Sequence, residues 1–236
     1  QAFIAESLVD LDAALRAQGQ GLLVRVGDAV DVLQTMAEQF EIEGLHAHEE
    51  TGNGWSFARD RAVRAWARER GIPVHEVPQF GVTRALRDRD GWSKRWEAFM
   101  AEASTCPTES LPPVLDTPVV DDALLRQAFA RARPFDATPC PERQSGGFAA
   151  GRAVLDDFLG RRGAAYRGGI SSPNTAETAC SRLSAHIAYG TLSLRTIVQA
   201  TRKRRAEART AGETRWAASL NQFDQRLHWH CHFIQK

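Results

Sequence analysis

Hydrophobic positions in the first 80 residues switch between helical spacing and short continuous runs. Apolar residues three and four apart predict helices, and runs of four to six apolar residues bounded by turn signals predict buried strands. The pattern predicts helices over 3–17, 29–40 and 57–70, and strands over 22–26, 42–47 and 71–77. Strand and helix therefore alternate at short spacing, which favours an α/β fold with a parallel sheet and helical crossovers.

The second half of the chain lacks strand signals. Its apolar spacing predicts helices over 147–162, 178–189, 191–209 and 213–236, with a Gly/Ser/Pro/Asn loop over 163–177. Two proline-rich stretches, 104–120 and 133–147, separate the halves. We therefore predict an α/β domain over 1–103, a linker over 104–146, and the beginning of an all-α domain over 147–236.

Composition excludes several classes of protein. The 236 residues are 43% hydrophobic and 25% charged, as in ordinary globular proteins, and no apolar run is long enough to cross a membrane. The 30 basic and 29 acidic residues nearly cancel, so bulk charge does not indicate a nucleic-acid binder. The four cysteines form no Cys-x-x-Cys pair, so we predict no metal site and a reduced, cytoplasmic protein.

Both ends of the chain affect this interpretation. The chain begins at Gln1 with a helical pattern, whereas a doubly wound sheet usually begins with a strand, and it stops at Lys236 within another helical pattern. We interpret the sequence as a fragment that lacks the first strand and the later helices.

The segment from Tyr166 to Arg195 contains the most informative residues. A loop rich in small hydroxyl residues, with an arginine inside it, leads into a helix. Backbone N–H groups at a helix start, together with serine hydroxyls and an arginine, suit a phosphate or pyrophosphate. The alternative is a polar loop whose serines only cap the helix.

Short motifs in this region resemble the photolyase/cryptochrome family. They are Ser181-Arg182-Leu183-Ser184, Gly190-Thr191-Leu192-Ser193 and Leu227-His228-Trp229, the last followed by Phe233. The order of an α/β half, a long linker and a helical half is also similar. The resemblance implies a Rossmann-like, parallel-sheet antenna domain followed by a helical FAD-binding domain, here incomplete at its end.

The resemblance also implies functions for individual residues. Tyr166 matches the tyrosine at the phosphate region of FAD, and Trp229 matches a tryptophan that packs against a flipped pyrimidine lesion in UV-damaged DNA. The segment that wraps FAD corresponds to Cys180, Ser181, Arg182, Leu183 and Ser184. The implied activity is light-driven repair of pyrimidine lesions by electron transfer from reduced FAD.

One position departs from the family pattern. Repair enzymes of the family usually carry a glutamate one helical turn before the tryptophan, where this chain has Arg226, or Gln225 after a shift of one residue. Neither side chain can act as a carboxylic acid, so we assign no catalytic residue and list Arg226 with Trp229 as DNA-binding. A cryptochrome-like photoreceptor with a signalling partner stays open, as does an incomplete, non-catalytic member. We expect the isolated chain to be inactive.

Three other segments allow more than one interpretation. Glu50 and Thr51 follow the second strand and could hold an antenna chromophore, a folate or a deazaflavin, or belong to an ordinary polar loop. His228 and His232 could share a metal, but packing of both histidines against partners that are missing from this chain is the simpler interpretation. They could also contribute to a DNA-facing surface. The basic run 202–205 could meet DNA phosphates or form a solvated helix face.

Overall fold

The computed structural model describes residues 1–104, 117–132 and 140–235. Cys106 and the segments 105–116 and 133–139 of the predicted linker lie outside these residues. The described residues form two strands, eleven α-helices and one 3₁₀ turn, in the order α1 (Ala2–Arg16), α2 (Ala29–Ala37), β1 (Leu45–His48), α3 (Gly54–Glu69), β2 (Val74–Val77), α4 (Trp92–Ala101), α5 (Asp122–Ala132), α6 (Phe148–Gly160), a 3₁₀ turn (Arg162–Ala165), α7 (Tyr166–Gly169), α8 (Pro173–Ala179), α9 (Ser184–Ala188), α10 (Leu194–Thr210) and α11 (Thr214–Ile234).

The sheet is parallel, as the alternating pattern predicts. β1 pairs with β2 from Leu45↔Val74 to His48↔Val77, and α3 forms the crossover between them. α3 begins where the Asn53 side chain accepts hydrogen bonds from the N–H groups of Trp55 and Ser56, both at 3.0 Å. The predicted fold class, a parallel α/β part followed by a helical part, is confirmed.

The prediction of a strand over 22–26 is wrong in the described structure. A strand requires a neighbouring strand that pairs with its backbone groups. The N–H of Leu22 instead donates to Asp12 Oδ1 at 2.9 Å, and the described sheet contains only β1 and β2. The hydrophobic pattern identified an apolar segment correctly but could not supply a partner for it.

The main hydrophobic core lies in the helical half. α6, α10 and α11 meet around large, fully buried side chains: Leu155, Phe158, Ile197, Val198 and Leu220. α4 joins this core through Trp92, Trp96 and Met100, which are spaced four residues apart and all buried. α4 was not predicted from the sequence, although the spacing of these three residues is typical of a buried helix face.

A break in the predicted helix 178–189 shapes the candidate site. α8 ends at Ala179 and α9 begins at Ser184, so the four residues between them form a connecting loop. Arg182 adopts a left-handed conformation with φ +61°, which an L-residue other than glycine, asparagine or aspartate rarely takes. The next residue, Leu183, packs into the core. The backbone therefore turns between α8 and α9, and the predicted helix is divided into two.

The other helical boundaries differ less. The segment predicted as the loop 163–177 contains two short turns and the first residues of α8, and α5 lies inside the predicted linker 104–146. No helix among the described residues is long and apolar enough to cross a bilayer.

Candidate functional site

The predicted cofactor loop, Cys180 to Ser184, is held by hydrogen bonds to its carbonyl groups. The Arg162 guanidinium donates to the carbonyl oxygens of Cys180 and Ser181. The Gln144 amide donates to the carbonyl of Arg182. Three consecutive carbonyls of the loop are therefore bonded to side chains from outside it.

The N–H groups of the same loop are available to a ligand. Among the described residues, the backbone N–H groups of Ser181, Arg182 and Ser184 have no hydrogen-bond partner, and the Arg182 side chain forms no ion pair. Leu183 N–H makes a long contact of 3.4 Å to Ser181 Oγ. Successive free N–H groups around a left-handed residue form an anion-binding concavity, and an arginine beside it adds positive charge.

Tyr166 lies between helices of the core. It is only 7% exposed, and its ring packs edge-on against Phe158 and Phe223 at centroid distances of 5.6 and 5.3 Å. Burial raises the pKa of Tyr166, and the positive charge of Arg226 offsets part of that rise. The hydroxyl is thus protonated at neutral pH, and it has no hydrogen-bond partner among the described residues, so it can donate to a ligand.

The second half of α11 presents an exposed aromatic and basic surface. The Arg226 guanidinium carbon lies 4.2 Å from the Trp229 ring centroid, a cation–π distance. Trp229 is 44% exposed and Phe233 is 59% exposed, with their rings 6.1 Å apart. We call these three residues the α11 aromatic face. Such a face suits stacking against a planar base.

Within the part of the chain that the structure describes, no carboxylate takes part in this face. Arg226 and Gln225 are both exposed, whereas the neighbouring Asp224 is buried and bonded to Arg202 and Arg205 at 3.1–3.2 Å. Asp224 is therefore already engaged between α10 and α11, and it cannot replace the glutamate that the family pattern has near Trp229.

The histidines of α11 pack against aromatic rings. The His228 ring lies 4.7 Å from Trp96 and 4.9 Å from Trp92, and His230 meets Phe80 at 5.0 Å. Within the described residues, no group of three or more histidine, cysteine or carboxylate side chains is arranged to hold a metal ion. The rings of His228 and His232 both contact Trp92 of α4, so their packing partners lie within this chain and not, as the sequence suggested, in a part that is missing from it.

The basic run 202–205 is mostly engaged within the protein. Arg202 pairs with Glu97 and Asp224, Arg204 with Glu213, and Arg205 with Asp224, which leaves the exposed Lys203. These arginines connect helices, whereas the sequence suggested a solvated helix face. Little positive charge is therefore left to bind DNA phosphates.

The predicted antenna residues line an open cavity at the carboxyl end of the sheet. Its volume is about 640 Å³, and Glu50 and Thr51 form one wall. Arg84 and Arg64 form another, where both donate to Glu76 at 2.9–3.3 Å. The hydrogen bond from Arg84, with a further one from Arg64, outweighs burial and holds the pKa of Glu76 below its usual range. Arg64 and Arg84 were not predicted as cavity residues. Pairing of the strands brings them together with Glu76, and the sequence alone does not show this.

Known proteins share both the sequence pattern and the fold. A sequence model of the DNA photolyase family matches residues 1–85. The chain is 27% identical to the deoxyribodipyrimidine photo-lyase of Halobacterium salinarum, covering 99% of this chain and 49% of that protein. It is also 27% identical to the enzyme of the same name from Streptomyces griseus, covering 86% of this chain and 45% of that protein. The chain is therefore similar in sequence to photolyases, and its first 85 residues match the family model.

Two solved structures share the fold of this chain. A bacterial class III photolyase from Agrobacterium tumefaciens superposes with a TM-score of 0.72 at 19% identity, covering 99% of this chain and 48% of that one. An archaeal photolyase from Sulfolobus tokodaii, solved with two FAD molecules, gives 0.64 at 21% identity, covering 99% and 47%. The photolyase-like chain thus spans about half the length of the relatives it matches.

Proposed function

We propose that this chain forms part of a light-driven enzyme that repairs pyrimidine lesions in UV-damaged DNA with reduced FAD. The observation that carries the proposal is the position of Arg226. Its guanidinium lies over the exposed Trp229 ring and is close enough to Tyr166 to lower the pKa of the tyrosine. One side chain therefore links the tyrosine expected at the cofactor with the tryptophan expected at the lesion.

The loop and Tyr166 fit the charge of FAD. The free N–H groups of Ser181, Arg182 and Ser184, the unpaired Arg182 side chain and the Tyr166 hydroxyl are all hydrogen-bond donors, and a pyrophosphate offers only acceptors. When bound, reduced FAD would supply the electron that splits the lesion. The residues of this chain bind the phosphates, orient the cofactor and, through the α11 aromatic face, contact the flipped base.

The α11 aromatic face supports binding of an extruded base. A damaged pyrimidine stacks and pairs poorly, so moving it out of the duplex costs less than moving an intact base. Stacking on an indole such as Trp229 contributes roughly 1–3 kcal/mol, and Arg226 beside it is placed to meet a phosphate or a base edge. Because no free carboxylate of the described residues lies at this face, those residues provide no carboxylic acid that could protonate the lesion.

The cavity at the sheet edge supports a second chromophore. Arg64 and Arg84, both bonded to Glu76, line a cavity that Glu50, Thr51 and Phe57 also line, and its volume of about 640 Å³ suits a fused-ring ligand. A folate or a deazaflavin carries carboxylate or phosphate groups that these arginines could bind. We propose this cavity as the antenna site.

Binding to damaged DNA tests the proposed function. Fluorescence anisotropy with FAD present would compare a UV-irradiated thymine-rich oligonucleotide with the same unirradiated strand. We expect tighter binding to the irradiated strand, and Trp229→Ala should weaken that binding between about fivefold and 100-fold, since one stacking contact is lost. Trp55→Ala is the matched control, because Trp55 is 76% exposed on α3 and outside the α11 aromatic face.

Illumination tests whether the chain repairs the lesions that it binds. Lesion content of the oligonucleotide, measured after illumination and in the dark, shows whether binding leads to repair. Equal affinity for both strands, or no effect of Trp229→Ala, would reject the proposed site. Lesion binding without a light-dependent loss of lesions is the result expected of a chain that forms only part of the enzyme, whereas a light-dependent loss would show that this part is sufficient for repair and would exclude a receptor or a non-catalytic member.

A further inference from the structure

The carbonyl groups of the cofactor loop are bonded by two side chains that neither the sequence motifs nor the family resemblance identifies. Arg162 comes from the 3₁₀ turn that precedes Tyr166, and Gln144 comes from the segment before α6. Together they occupy the carbonyls of Cys180, Ser181 and Arg182. With its carbonyls bonded to these two side chains, the loop keeps the N–H groups of Ser181, Arg182 and Ser184 free.

Arg162 is itself fixed in place. Its guanidinium also bonds the Asp157 carboxylate, and its charged carbon lies 5.8 Å from the Phe158 ring centroid. The hydrogen bond from Arg162, followed by that from Arg161, lowers the pKa of Asp157, so the partner stays ionised. An arginine with an ionised partner on one side and two carbonyls on the other is preorganised, because its planar donors point in fixed directions.

Gln144 belongs to a segment that α1 holds. Glu6 accepts hydrogen bonds from Arg143 at 2.9 Å and from the Gly146 N–H at 2.7 Å. Ser7 Oγ accepts from the Gly147 N–H at 3.0 Å, and Asp10 accepts from the Phe148 N–H at 2.6 Å. The position of the Gln144 amide is therefore set by a helix of the α/β half.

We propose that Arg162 and Gln144 are positioning residues that hold the cofactor loop in its phosphate-accepting conformation. The left-handed backbone of Arg182 is unfavourable for an arginine and needs support from its surroundings. Hydrogen bonds to the carbonyls on both sides of this residue give that support. The inference rests on the proposed function, since the phosphates of FAD are the ligand that the loop would accept.

Paired substitutions test this role. Arg162→Met removes the donors and keeps most of the length, and Arg161→Met is the matched control. Arg161 also pairs with Asp157, at 2.8 Å, but its side chain is 78% exposed and it makes no bond to the loop. Gln144→Glu is isosteric and replaces the donor with an acceptor that faces a carbonyl, with the exposed Glu142→Gln as its control.

Two measurements on the purified chain distinguish positioning from simple stability. FAD affinity is measured by quenching of flavin fluorescence, and thermal unfolding of the apoprotein is followed by circular dichroism. We expect Arg162→Met and Gln144→Glu each to weaken FAD binding by about tenfold or more, as for the loss of a charge-assisted or buried hydrogen bond. Arg162→Lys should restore part of the affinity, and both control variants should bind as the unchanged chain does.

The outcomes separate this inference from the proposed function. If the unchanged chain binds FAD and Arg162→Met and Gln144→Glu bind it equally well, the positioning role is wrong and the proposed function stands. A loss of affinity that appears equally in Arg161→Met, or that only follows a lower unfolding temperature, also overturns the role. If the unchanged chain does not bind FAD, the proposed function fails and the inference fails with it.

Discussion

Asp12 is 1% exposed in α1, and its carboxylate joins three separate parts of the chain. It accepts hydrogen bonds from Arg16 Nε at 2.8 Å, from the Leu22 N–H at 2.9 Å and from the Val120 N–H at 3.0 Å. Burial alone would raise the pKa of Asp12, but the bonds from Arg16 and the two N–H groups outweigh it and hold the pKa below its usual range. One residue therefore fixes the end of α1 and both segments that cross it.

We predict that Asp12→Asn destabilises the protein by about 2–3 kcal/mol, because the new amide N–H₂ would face an N–H or guanidinium donor in a buried site. Chemical denaturation at neutral pH measures the free energy of unfolding. Asp156→Asn is the control, since Asp156 lies in an exposed pair with Arg152 and such pairs contribute little. Equal stability of the two variants would show that the three bonds to Asp12 do not stabilise the fold.

At the scale of elements, the hydrophobic pattern predicted the helices and strands whose formation depends on the local spacing of apolar residues. The helices α1, α2, α3, α6, α10 and α11 and the strands β1 and β2 all lie within the predicted segments or within a few residues of them. Errors occurred where distant residues decide the structure. Residues 22–26 form no strand because the described sheet gives them no neighbouring strand to pair with. The helix predicted over 178–189 is interrupted because Leu183 packs into the core.

The candidate site also contains both residues that the sequence could identify and residues that only the fold brings to the site. The motif around Ser181 and the aromatic pair Trp229 and Phe233 could be found from sequence, because their residue types point to phosphates and bases. Arg162 and Gln144 could not, since they lie 18 and 38 residues before the carbonyls they bind. Whether the site residues bind FAD and DNA stays a prediction.

Helices α4, α10 and α11 meet at one guanidinium. Arg202 on α10 donates to Glu97 of α4 at 2.7 and 3.0 Å and to Asp224 of α11 at 3.2 Å, and it lies 5.6 Å from the Trp96 ring centroid. Burial, the largest single influence, lowers the pKa of Arg202, but the hydrogen bonds that it donates to Glu97 and the negative charge of Asp224 outweigh burial and raise that pKa. α11, which carries the α11 aromatic face, is thus tied to α4 and α10 at a partly buried ionic centre.

We expect Arg202→Met to lower the free energy of unfolding by about 1–3 kcal/mol, because Asp224 keeps only Arg205 and Glu97 loses its partner. Urea denaturation followed by tryptophan fluorescence measures the change. Lys203→Met on the same helix is the control, and it should shift stability by no more than about 0.5 kcal/mol because Lys203 is exposed. A similar loss in both variants would mean that hydrophobic packing alone holds the three helices.

At the scale of the whole molecule, polar bonds connect the α/β half to the helical half. α1 fixes the segment before α6 through Glu6, Ser7 and Asp10, and that segment reaches the cofactor loop through Gln144. On the other side, Thr83 and Gln235 exchange two hydrogen bonds, at 2.7 and 2.9 Å, between the end of α11 and the segment after β2. The loop and the α11 aromatic face are therefore each tied to the α/β half.

Three buried or half-buried histidines make the stability of the whole molecule depend on pH. Burial lowers the pKa of His186, His228 and His230. At His228, Glu97 and Asp224 oppose that effect, whereas His232 and Arg202 add to it. Because the folded pKa values lie below the unfolded value of about 6.5, the folded protein binds fewer protons than the unfolded chain. The stabilisation is complete above pH 6.5 and is lost as pH falls through each folded pKa.

We therefore expect the free energy of unfolding to fall as pH decreases below about 6.5, with each histidine adding a slope of up to about 1.4 kcal/mol per pH unit. Urea denaturation between pH 8 and pH 5 measures this slope. His228→Phe should reduce it, since phenylalanine can keep the ring contacts with Trp92 and Trp96 but binds no proton. His48→Phe on the exposed part of β1 should leave the slope nearly unchanged. If His228→Phe also leaves the slope unchanged, His228 is not held neutral by its position between the two tryptophans, and another group accounts for the pH dependence.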